Sequence, residues 1–109
     1  MTPDPTEERR QAQRLPYRGE IEFWIDSVQG SGYYTDISTT GIYIETLNPA
    51  EPGTRCRMRF TLPGYPETIE AEGIVVWKNV PMGMGVEFVS LAPDAYKAIR
   101  ELTTERSAR

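Results

Sequence analysis

From Arg55 to Leu62 polar and apolar residues alternate without a fault, Arg55, Arg57, Arg59 and Thr61 interleaving with Cys56, Met58, Phe60 and Leu62. A period of two is the mark of an extended strand with one face in a core and the other in water. The same period recurs elsewhere. Ile21, Phe23 and Ile25 alternate with Glu20, Glu22 and Trp24, and Ile42 and Ile44 alternate with Tyr43 and Glu45. Tyr33 to Ile37, Thr68 to Trp77 and Met84 to Val89 read as three further strands. Turns are predicted at Gln29 to Gly32, in a short loop ending at Gly41, over Asn48 to Gly53, at Pro63 to Pro66 and at Pro81 to Gly83, where Gly and Pro gather. Ala92-Pro93-Asp94 begins a helix, with Leu91, Ala95, Ile99 and Leu102 on one stripe, and from Thr103 the sequence turns polar and is expected to fray. Six strands joined by short loops and followed by one helix predict an all-β fold, a six-stranded antiparallel β-barrel with a C-terminal α-helix.

At 109 residues the chain has room for one domain. Residues 1–19 are rich in Pro and charge and lack apolar periodicity, which predicts a flexible N-terminal arm; the barrel and its helix are expected over 20–105, with a tail at 106–109. The formal charge of −4 argues against a general binder of duplex nucleic acid, so any anion site must be local. Ten of the twelve basic residues are Arg, the side chain suited to forked recognition of phosphate and base edges. The absence of His removes imidazole bases, His-dependent nucleophiles and His-ligated metals, and one Cys cannot form an internal disulfide or a Cys-cluster zinc site. These features predict a chain that is not an enzyme, carries no metal or cofactor and resides in a reducing cytoplasm. No apolar run approaches the ~20 residues of a membrane span, and Met1 to Arg14 is too polar for a signal peptide.

Two short constellations could carry chemistry. The leader holds Arg9, Arg10 and Arg14, and one turn of helix or a compact bend would bring Arg10 and Arg14 to the same side; by themselves they also read as a solvated basic patch beside Glu7 and Glu8. Asp36, Ser38 and Gly41 fall in a connection between strands. There a carboxylate could accept two N–H bonds from a guanine edge, and Gly41 would let a ligand approach the backbone; equally, the segment reads as a turn that bonds to itself.

Taken together, Arg10-x-x-x-Arg14 and Asp36-x-Ser38-x-x-Gly41 resemble the PilZ domain family, and Gly73-Ile74-Val75-Val76-Trp77 and Gly83-Met84-Gly85-Val86-Glu87-Phe88 look like the family's fifth and sixth barrel strands. The resemblance implies a bacterial receptor for cyclic di-GMP. In it Arg10 and Arg14 hold the phosphates and guanines, while Asp36, Ser38 and Gly41 form the opposing wall. It also implies that Arg9 supports a second, stacked ligand, giving two cyclic di-GMP molecules per protomer. Trp77 is a further ligand-binding candidate, with barrel-rim packing as its other reading. Ligand would order the arm and create a surface for an unidentified downstream protein, an expectation that follows from the lack of room for an output domain.

Other readings lead elsewhere. A PilZ-like protein-interaction module that binds no nucleotide would use the barrel surface or helix. A binder of single-stranded nucleic acid would stack bases on Tyr33, Tyr34 and Trp24, but the net charge disfavours it. Arg55, Arg57 and Arg59 are expected to pair across strands with Glu70 and Glu72, Met82 and Met84 to offer a soft contact surface, and Cys56 to be a buried small hydrophobe. Whether Arg18 reaches the ligand is left open.

Overall fold

The computed structural model describes residues 18–79 and 82–107, with the side chains of the final helix described as far as Thr103. Six strands, β1 (Gly19–Ile25), β2 (Val28–Thr35), β3 (Gly41–Glu45), β4 (Arg55–Leu62), β5 (Tyr65–Asn79) and β6 (Gly83–Leu91), precede one helix, α1 (Pro93–Ser107). They close into an antiparallel barrel in the order β1-β2-β3-β6-β5-β4, with β4 pairing back to β1. Closure leaves no unpaired edge, so a small sheet can satisfy its own backbone groups.

The alternation that identified β4 is realised in full, since Cys56, Met58, Phe60 and Leu62 are buried and the residues between them are exposed. Their apolar side chains meet Ile21, Phe23, Ile44, Ile69, Val75, Met84 and Val86 inside the barrel. Tyr34 belongs to this interior too. Its ring lies 5.2 Å from that of Phe60 and its hydroxyl donates to the Thr61 carbonyl at 2.6 Å, so it is no stacking platform. Met84 is likewise fully buried, which removes it from any contact surface, whereas Met82 is exposed. Burial pushes the Cys56 thiol up to about 12, because the thiolate would have to be held away from water.

Three sequence boundaries move. The first hairpin turns at Asp26-Ser27, where Ile25 opposes Val28 and Asp26 takes φ 59°, and not at Gln29 to Gly32. Those glycines sit within β2 for a packing reason: a Cβ on Gly30 would come 2.6 Å from the Phe23 ring, and one on Gly32 would come 2.1 Å from the Glu45 carbonyl oxygen. Glycine here makes space for a neighbour, a use that looks identical to a turn in sequence. The predicted turn at Pro63 to Pro66 shrinks to Pro63-Gly64, with Gly64 at φ 80°, and β5 runs from Tyr65 to Asn79. Leu91 ends β6 instead of joining the helical stripe.

The helix also outlasts its expected end and runs to Ser107. Ala95, Ile99 and Thr103 form its buried face, with Ala98 and Leu102 half-buried beside it. Thr103 is polar but buried at no penalty, because its hydroxyl donates to the Ile99 carbonyl at 2.9 Å. On the wet face of β4, Arg55 pairs with Glu72 at 3.4 Å as expected, but Arg59 pairs with Glu22 on β1 at 3.0 Å and not with Glu70. Arg57 lies over Trp24 at 5.0 Å from the ring centroid. Exposed pairs of this kind add little stability.

Candidate ligand-binding site

The connection from β2 to β3 is a self-bonded turn. Ser38 N–H donates to the Gly41 carbonyl at 2.9 Å, and the buried Ser38 Oγ accepts the N–H groups of Thr40 at 3.1 Å and Gly41 at 3.3 Å. Oγ also lies 3.1 Å from Thr40 Oγ1. Ile37, wholly buried, pins the turn to the core, and the Phe88 N–H donates to the Thr40 carbonyl at 2.9 Å to tie it to β6. Gly41 is required by crowding and not by its backbone angle, because a Cβ would meet the Val86 carbonyl oxygen at 2.5 Å. Ser38 and Gly41 thus give the ledge its shape.

Asp36 is different. It takes φ 53°, a left-handed conformation uncommon for a residue with a side chain, and its half-buried carboxylate accepts no hydrogen bond from another described residue. Asp tolerates this conformation in turns, and Asp26 adopts it as well in the first hairpin.

Beside the ledge, the outer face of the barrel carries an aromatic pair. Tyr43 on β3 and Trp77 on β5 both oppose Gly85 on β6, and their rings stack across it with centroids 5.3 Å apart and planes 24° from parallel. The rings lie flat because β6 offers no side chains there. A Cβ on Gly85 would come 2.4 Å from Trp77 Nε1, and one on Gly83 would come 1.7 Å from the Tyr43 hydroxyl oxygen. Asn79 Nδ2 donates to that hydroxyl at 3.4 Å, and Trp77 is still 49% exposed. Trp77 therefore packs on the rim and at the same time keeps a free surface beside the ledge.

Tyr43 escaped the sequence reading. The signal available was Gly83-x-Gly85 in a strand flanked by apolar residues: two outward glycines leave a gap that facing aromatics can fill. Thr35, next to Asp36, opposes Tyr43, which puts ledge and aromatic pair on one continuous face.

Arg9, Arg10 and Arg14 lie outside the described residues, so only the route by which their segment joins the barrel is on view. That route is informative. Gly19, the first residue of β1, opposes Tyr34, two positions before Asp36, so the leader joins the barrel alongside the ledge. Immediately before it, the Arg18 guanidinium donates from Nη2 and Nε to Glu45 Oε1 at 3.1 and 3.3 Å and lies 3.9 Å from the centroid of the Tyr33 ring.

An open groove of about 500 Å³ runs over the neighbouring β1, β2 and β4 surface, lined by Glu20, Glu22, Ser31, Tyr33, Arg59 and Thr68 among others, and none of Asp36, Ser38, Gly41 or Trp77 borders it. The ledge and the aromatic pair form an open platform, one that needs cover from another segment to enclose a ligand. No group of three His, Cys, Asp or Glu able to hold a metal occurs among the described residues, and no helix among them is long and apolar enough to cross a membrane.

A small closed antiparallel barrel, a helix packed on its core through Ala95 and Ile99, and a polar ledge beside an aromatic pair define a compact β-barrel domain. The chain belongs to the PilZ domain family, whose model matches residues 8–105. Among solved structures it is similar to the inhibitor of motility MotI/DgrA of Bacillus subtilis, with 19% identity and a TM-score of 0.78 over 92% of this chain and 52% of that one. It is also similar to the PilZ domain of CeSA from a cellulose-synthesizing bacterium, with 17% identity and a TM-score of 0.65 over 86% of this chain and 97% of that one. At these identities the likeness is one of fold, and the chain spans about half the length of MotI/DgrA. A search of characterised protein sequences finds no significant match.

Proposed function

We propose that this protein is a receptor for cyclic di-GMP, the general role of PilZ domains, and that it binds the ligand between its Arg-bearing leader and the Asp36 ledge. The observation that carries the reading is the register at the start of β1. Gly19 opposes Tyr34, so a segment bearing Arg10 and Arg14 joins the barrel two residues from Asp36. Arg14 is four residues before Arg18, within about 14 Å of chain at ~3.5 Å per residue, which is enough to reach a ligand resting on the ledge.

The division of labour follows from the chemistry. Arg10 and Arg14 supply fork-shaped donors to the two phosphates and flat cations to the guanine faces. The Asp36 carboxylate accepts the paired N–H donors of a guanine edge, a pair adenine lacks. Ser38 and Gly41 hold the backbone of the turn in place for that contact, and the exposed face of Trp77 offers a stacking surface. Arg9 adds a third guanidinium, which favours a second, stacked ligand by offsetting the repulsion among four phosphates. The leader closed over ligand then makes a new surface for a second protein to read. The role is one of binding and relay, not catalysis.

Calorimetric titration tests the proposal. Cyclic di-GMP should bind with two ligands per chain, cyclic di-AMP should bind far more weakly, and Arg10→Ala with Arg14→Ala should lose more than about a hundredfold in affinity, given ~1.5–3 kcal/mol for each charge-assisted contact. Saturation at one ligand would remove the role given to Arg9. A parent protein that ignores cyclic di-GMP at micromolar concentrations would leave a PilZ domain acting only through protein contacts.

A further inference from the structure

We infer that Tyr43 is a positioning residue that holds the Trp77 indole flat on β6, so that a stacking face stands ready beside the Asp36 ledge before ligand arrives. This rests on the cyclic di-GMP reading above, in which Trp77 offers a surface to a guanine. Thr35 on β2, Tyr43 on β3, Gly85 on β6 and Trp77 on β5 oppose one another in turn and form one row across four neighbouring strands. Asp36 follows Thr35 directly. Ledge and indole are thus placed relative to each other by the barrel itself, and Tyr43 stands between them.

The indole is supported on two sides. Beneath it, Gly85 lets one edge of the ring settle on the strand, since a Cβ there would lie 2.4 Å from Nε1, 2.6 Å from Cε2 and 3.0 Å from Cδ1. Gly85 supplies room but no side chain to grip the ring. That grip comes from Tyr43, whose ring stacks on Trp77 at 5.3 Å between centroids with the planes 24° from parallel. Tyr43 is itself held in place, because its hydroxyl lies over Gly83, where a Cβ would come 1.7 Å from the oxygen, and accepts the Asn79 amide at 3.4 Å. A half-exposed indole without this neighbour would visit other rotamers, and a ligand would then have to arrest it.

Tyr43→Leu removes the ring, and Tyr43→Phe keeps the ring while removing the hydroxyl; thermal melts show that both leave the barrel folded. With Trp24 replaced by Phe, Trp77 is the sole tryptophan, so time-resolved fluorescence anisotropy of the ligand-free protein reads the motion of its indole. We expect Tyr43→Leu to increase the fast local motion of the indole and to weaken cyclic di-GMP about fivefold by calorimetric titration, the order set by one more side chain to immobilise. Tyr43→Phe should match the parent in both measurements. On a Trp77→Ala background, Tyr43→Leu should cost no further affinity, because a residue that acts through another then has nothing left to position. The inference is overturned if Tyr43→Leu leaves the indole as still as in the parent, or frees it without changing the affinity. A loss that persists in full on the Trp77→Ala background overturns it too, since Tyr43 would then act on the ligand by itself. Each of these outcomes leaves the receptor reading intact, whereas a parent that binds no cyclic di-GMP removes that reading and this role with it.

Discussion

Ser38 holds its own turn together with one hydroxyl. It is buried, and its Oγ accepts two backbone N–H groups of the turn that follows. Ser38→Ala leaves both donors without a partner, so we expect a loss of about 1–3 kcal/mol in stability by urea denaturation, together with weaker ligand binding. Cys56 gives a second residue-scale expectation. Its thiol is pushed up to about 12 in the folded barrel from an unfolded value near 9.0. The folded state therefore keeps a proton that the unfolded chain releases, and stability present below pH ~9 is lost as pH rises toward ~12. Stability measured against pH should fall across this window in the parent and less steeply in Cys56→Val. Native Cys56 should also resist thiol reagents at pH 8.

At the scale of the element, β6 makes the aromatic platform possible by omission. Gly83 and Gly85 face outward under Tyr43 and Trp77, while Met84 and Val86 between and beyond them fill the core. Gly85→Ala puts a methyl 2.4 Å from the Trp77 indole nitrogen, so the ring must lift. Tryptophan fluorescence should report this as a red shift of the Trp77 component, read in a background with Trp24 replaced by Phe, while the barrel stays folded. Elements of this chain differ in how openly the sequence declares them. β4 is legible to the residue, because one face is uniformly apolar and the other polar. β2 is not, because Gly30 and Gly32 occupy inward and inter-strand positions where neighbours need space, and Gly is the same letter in a turn. Helix α1 extends past the apolar stripe because Thr103 bonds to its own helix and so can be buried like an apolar residue.

For the whole molecule, the motifs carried the family and the fold followed from the strand pattern, but the geometry of the site did not. Asp36, Ser38 and Gly41 were legible as a group. A self-bonded turn was one of the readings the segment allowed, but that Ser38 carries its hydrogen bonds while Asp36 takes the left-handed conformation was not read from the sequence. The sockets that Tyr43 and Arg18 occupy join strands far apart in sequence, so the segment around each residue does not mark it; for Tyr43 the one mark is the pair of glycines some forty residues on. A net charge of −4 is compatible with the proposed dianionic ligand, because a few Arg side chains brought to one place are enough to attract it whatever the overall charge.

The most direct test of the central claim is to follow ¹H–¹⁵N resonances as cyclic di-GMP is added to the protein. Shifts should concentrate at Thr35 to Gly41, at Tyr43 and at the Trp77 indole N–H, with those of the opposite Trp24 and Arg57 face unmoved. Shifts confined to that opposite face, or none at saturating ligand, would contradict the account.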